Sequence, residues 1–118
     1  MKRTDVDKYD ELRSKLVSVR DDIALLSAKK PHDQLNSFKL KFINNLLAQV
    51  NELIGDFRPE EDFNEFDNVE LPSNSDVLMI LNLYLTGMTR FKEANSIRKV
   101  VGEDFSDTFT KKVWNTED

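Results

Sequence analysis

Tyr9, Leu12, Leu16, Val19, Ile23 and Leu26 recur at alternating intervals of three and four residues along the first thirty positions. A helix turns about 100° per residue, so this spacing stacks the six side chains in one stripe, and no strand could keep them on a common face. The chain is thereby committed to begin with a long amphipathic helix. Thr4 is placed to cap it, Asp5 and Asp7 suit the positive end of its dipole, and Lys29 and Lys30 suit the negative end before Pro31. The predicted span is 5–29. About three heptads suffice for a seam inside a bundle and are marginal for an independent coiled coil, so the seam is assigned to intramolecular packing.

A second helix is expected from a cap at Asp33, carrying Leu35, Phe38, Phe42, Ile43, Leu46, Leu47, Val50, Leu53, Ile54 and Phe57. This arc is wider than one seam and implies two packing neighbours. Gly55 can supply the positive φ that ends the helix. The short link before Asp33 makes helices one and two an antiparallel hairpin.

Ser73, Asn74, Ser75 and Asp76 form a strong start signal, since their side-chain oxygens accept from the orphan N–H groups of a first turn. The third helix that follows is apolar nearly all round from Val77 to Phe91, then basic at Arg90, Lys92, Arg98 and Lys99, with Gly102 closing it. A short fourth helix is expected from a cap at Ser106 or Asp107, with Phe105 and Phe109 as a staple and Phe109, Val113 and Trp114 on one side. The scarcity of Gly (3) and Pro (3) fits long uninterrupted elements. The predicted fold is all-α: a single domain over residues 1–118, built as a three- to four-helix bundle with a long N-terminal helical hairpin and a short C-terminal helix.

Between the second and third helices, residues 56–73 concentrate the acidity of a chain whose net charge is −5. Asp56, Glu60, Glu61, Asp62, Glu65, Asp67 and Glu70 face Arg58 alone, interleaved with Phe57, Phe63, Phe66, Val69 and Leu71. A purely solvated linker would not carry three phenylalanines, so the loop is expected to lay those rings over the helices, with a short helical turn near Glu60 to Phe66.

Catalytic groups are sparse. There is no Cys, which removes thiolate zinc, iron–sulfur and cysteine-nucleophile chemistry, and the one histidine, His32, sits in a turn without metal-ligand spacing to any partner. No Gly-rich phosphate loop is present, and the acidic segment lacks the central Gly of a calcium loop. No cofactor and no metal ligand are assigned. An acidic chain with pI near 4.9 is a poor nucleic-acid binder, so direct nucleic-acid contact is not expected. The longest apolar run, Val77 to Leu81, is too short for a bilayer, the N-terminus has no secretory pattern, and a cytoplasmic, non-membrane protein is expected.

The leading functional expectation is a small helical protein–protein interaction module, an adaptor, regulator or inhibitor acting by stoichiometric binding and not an enzyme. Its partner surface would be Phe57, Glu60, Glu61, Phe63, Glu65, Phe66 and Asp67, where rings give burial and carboxylates steer a basic partner. A homodimer is expected through Leu78, Leu81, Leu85, Gly87 and Met88, the missing side chain at Gly87 permitting close helix approach. The alternative is a metal-assisted hydrolase of a phosphorylated substrate, using the carboxylates of residues 56–65 with bases from the third helix. It requires three acids to converge on one point.

Overall fold

The computed structural model describes residues 1–103 and 108–116. The chain is mostly helical, with three long helices and a small antiparallel sheet: α1 (Arg3–Lys29), α2 (Ser37–Ile54), a 3-10 turn (Gly55–Phe57), α3 (Asn74–Ala94), β1 (Ser96–Glu103) and β2 (Thr108–Trp114).

The stripe of α1 does what its spacing dictates. Tyr9, Leu12, Leu16 and Ile23 are buried, while Val19 and Leu26 are half-buried at the edge of the same core. The start differs from the expected Thr4 cap: Thr4 lies inside the helix, Lys2 is the N-cap, and the Asp5 carboxylate accepts from the Lys2 backbone N–H at 3.1 Å. One acid in the first turn thus satisfies the backbone N–H of the capping residue.

α2 also begins later than expected, with Asn36 as its cap accepting from the Lys39 N–H at 2.8 Å in place of Asp33. Residues 33–35 are diverted into a short antiparallel pairing with the residues ahead of α3. Leu35 N–H donates to the Pro72 carbonyl at 2.9 Å, Asn74 N–H to the Asp33 carbonyl at 2.9 Å, and Gln34 bridges to Ser73. This pairing holds Leu35 extended and buried, a tertiary demand that overrides the local cap signal at Asp33. At the other end Gly55 closes α2 with φ 54°, as its sequence position implies.

α1 and α2 run antiparallel: Lys8 reaches Gln49 at one end, and the last turns of α1 face the first turns of α2. α3 is antiparallel to α1, with the Tyr9 hydroxyl donating to the Met88 carbonyl at 3.0 Å and Arg20 to the Asn82 side chain at 3.0 Å. Ser73 caps α3 by accepting from the Asp76 N–H at 3.2 Å, as expected from its start signal.

The expected C-terminal helix is not there. α3 stops at Ala94 and not at Gly102, because Asn95 and Ser96 turn their side chains onto its last carbonyls: Asn95 Nδ2 donates to Phe91 O at 2.9 Å and Ser96 Oγ to Lys92 O at 2.6 Å. The chain then forms a hairpin in which Ile97 pairs with Val113 and Val100 with Thr110, with an irregularity between Val100 and Gly102. Ile97, Val100, Val101, Thr108, Thr110 and Val113 are β-branched and fit a pleated strand better than a helix. Phe109, Val113 and Trp114 therefore lie on β2. The expected cap and staple at Phe105, Ser106 and Asp107 fall outside the described residues.

The hairpin is moored at its base. Trp114 meets Tyr9 edge-on at 4.9 Å between ring centres, Phe91 stacks on Tyr9 at 6.0 Å, and the Lys92 ammonium lies 5.5 Å from the Trp114 ring. Lys112 and Glu93 form an ion pair between β2 and α3.

Candidate interaction groove

The acidic segment is ordered by two asparagines of α2. Asn44 accepts from the Phe66 N–H at 2.8 Å and donates to the Phe66 carbonyl at 3.0 Å, a two-point clamp, while Asn51 Nδ2 donates to the Asn64 carbonyl at 3.2 Å. In place of the short helical turn expected at Glu60 to Phe66 there is a single turn, closed by Phe63 N–H onto Glu60 O. Phe66 is buried and Phe57 and Phe63 are half-buried, with Phe63 meeting both Phe66 and Tyr84 edge-on. Glu60, Glu61, Glu65 and Asp67 face water. Phe66 is spent on the core, while Phe57 and Phe63 keep part of their surface outside beside the carboxylates.

The residues expected to carry self-association are also placed inward. Leu81, Leu85, Gly87 and Met88 are buried within this chain, and Leu78 is half-buried against the same core. Gly87 does permit a close approach, but to the Phe57 carbonyl of its own chain: a Cβ there would stand 2.5 Å from that oxygen. Tyr84 is held in the same region by its hydroxyl, which donates to Asn51 Oδ1 at 2.7 Å. Burial raises the pKa of both Tyr84 and Tyr9, opposed by the Asn51 hydrogen bond at Tyr84 and by Arg13 at Tyr9.

Among the described residues no three Asp, Glu or His side chains are grouped so as to hold a metal ion. The convergence that a metal-assisted hydrolase requires of the 56–65 carboxylates is therefore not found in them. His32 is exposed in its turn. Of the basic cluster, Arg90, Lys92 and Arg98 are exposed, with Lys92 turned over Trp114 and Arg98 opposite Lys112 across the hairpin.

What remains open is a groove between the C-terminal half of α1 and the N-terminal half of α2, with a volume of about 430 Å³. Ile23 and Ile43 form its buried floor, and Val19 and Leu26 its half-buried wall. Its rim is Leu25, Phe38 and Phe42, which are 67%, 82% and 51% exposed. Asp22, Lys29 and Lys39 complete the lining, and α3 contributes nothing to it. Among the described residues none forms an ion pair with Asp22, Lys29 or Lys39.

Scattered apolar residues on a surface are ordinary, but three large ones around a single concave apolar floor are not. Full burial of a Leu or Phe side chain is worth about 1.5–3 kcal/mol, so the rim holds several kcal/mol of unrealised burial. The sequence carried a trace of this: the arc of α2 is too wide for one neighbour, and Leu25 sits beside the seam of α1 instead of on it. Of the two neighbours that this arc implies, the described residues supply none that covers Phe38 or Phe42.

No described helix is long and apolar enough to cross a membrane. No protein-family model matches the chain, and no curated protein or solved structure shows significant similarity to it.

Proposed function

We propose that this chain is a stoichiometric protein-binding module whose docking surface is the α1/α2 groove. On this reading the three helices form a bundle with one position left open, and an amphipathic helix laid along α1 and α2 fills it, placing apolar side chains on Ile23 and Ile43 and between Leu25, Phe38 and Phe42. The observation that carries the reading is the exposure of those three rim residues around an apolar floor. Adaptor, regulator and inhibitor roles all act through such a surface, and none requires a convergent catalytic cluster.

The test is a photoreactive benzoylphenylalanine at position 42, in the chain expressed in its native cells, with the same group at the exposed Asp10 position as control. A polypeptide adduct specific to position 42, and lost on Leu25→Asp, is the expected result. Adducts equal at both positions, or none at either, would overturn the reading.

A further inference from the structure

The partner that this groove accepts can be specified further, building on the protein-binding reading above. We propose that it is a second copy of this chain, docked about a two-fold axis that sets the C-terminal halves of the two α1 helices antiparallel, centred between Leu25 and Leu26.

Asp22, Leu25, Leu26 and Lys29 are spaced i, i+3, i+4 and i+7, so they share one face of α1, and all four line the groove. Charge is ordered along that face: the acid stands on the N-terminal side of the leucine pair, and a base stands the same number of residues beyond it. Lys39, near the start of the antiparallel α2, adds a second base at the Lys29 end. Rotating a second copy about the Leu25–Leu26 midpoint brings its Lys29 and Lys39 to Asp22, and by symmetry its Asp22 to Lys29 and Lys39. Both ends are matched by one operation, as a two-fold interface requires.

A parallel approach would set Asp22 against Asp22 and Lys29 against Lys29. A uniformly acidic helix would meet Asp22, and a uniformly basic one would meet both lysines. The alternating face is complementary to itself in the antiparallel sense, and it is free to pair because its charges have no ion-pair partner among the described residues. The apolar window spans only Val19 to Lys29 on α1 and Phe38 to Ile43 on α2. Its shortness places the dimer in the weak, concentration-dependent class.

The test is sedimentation velocity of the full chain from about 1 µM to about 1 mM, with circular dichroism to confirm that each variant is folded. The wild type is expected to shift from monomer to dimer across this range. Leu25→Glu, at an exposed position, should remain monomeric while keeping its helix content. Asp22→Lys and Lys29→Asp should each weaken association about tenfold, the scale of two rim ion pairs reversed. An equimolar mixture of these two charge variants should dimerise at least as well as the wild type, because each carries the charge that the other lacks. A wild type that stays monomeric at 1 mM overturns the proposal, and a position-42 adduct to a different polypeptide would then leave the protein-binding reading intact. A dimer insensitive to Leu25→Glu overturns the surface, and failure of the mixture to associate overturns the antiparallel arrangement.

Discussion

Gly87 of α3 lies so near the Phe57 carbonyl that a Cβ at position 87 would stand 2.5 Å from its oxygen. The contact lets the 3-10 turn after α2 sit directly on α3, so that Phe57 can reach Phe91 edge-on at 6.0 Å. Gly87→Ala should therefore destabilise the chain by about 1–3 kcal/mol, despite the better helix propensity of alanine, because backbone must move to admit the methyl group. Urea unfolding followed by circular dichroism checks this, and a stabilised variant would show that the approach is looser than described.

Groove and core should respond oppositely to truncation. Leu40→Ala or Leu81→Ala removes a fully buried side chain and should cost about 2–5 kcal/mol, whereas Phe38→Ala at an 82% exposed position should change monomer stability by less than about 0.5 kcal/mol. Measuring the three variants at low micromolar concentration, where association does not contribute, separates the two classes. A large loss for Phe38→Ala would mean that its ring is covered within the chain.

Alkaline pH should weaken the fold through Tyr9 and Tyr84. Burial holds both hydroxyls protonated beyond their ordinary 10.0. Above pH 10 the unfolded chain releases these protons before the folded one does, so stability is intact below pH 10 and falls as the pH climbs toward the raised folded values. Tyr84→Phe should flatten that decline, at a cost near neutral pH of about 1 kcal/mol for the lost hydrogen bond to Asn51. Chemical denaturation at pH 7 and pH 11 compares the slopes, and identical slopes would remove Tyr84 as a contributor.

Trp114 is the only tryptophan of the chain and ties β2 to α1 through Tyr9. Its emission should follow the same melting curve as the helical signal, because hairpin and helices share the Tyr9–Phe91–Trp114 cluster. Trp114→Ala should release the hairpin at a cost of about 2 kcal/mol while leaving the three helices in place. Separate transitions in the wild type would mean that the hairpin docks independently.

The sequence by itself determined the three helices, since periodicity along one segment needs no knowledge of the rest: the stripe from Tyr9 to Leu26, the Ser73 cap and the Gly55 stop each act through local backbone geometry. It also foretold that the rings of residues 57–66 would fold over the core, because a purely solvated linker would not carry three phenylalanines. The hairpin was legible only in part. Its β-branched residues were there to read, but a helical pattern running up to Phe91 was carried past Asn95, where the side chains of Asn95 and Ser96 end it. Tertiary structure alone decided the rest. The clamp of Asn44 on Phe66, the pairing of residues 33–35 with 72–74 and the seating of Gly87 on Phe57 join segments far apart in the chain, and no local pattern encodes such distances. The groove is the clearest case: the wide apolar arc put Phe38 and Phe42 on the packing face of α2, but which part of that face receives a neighbour depends on where α3 packs, and α3 does not line the groove.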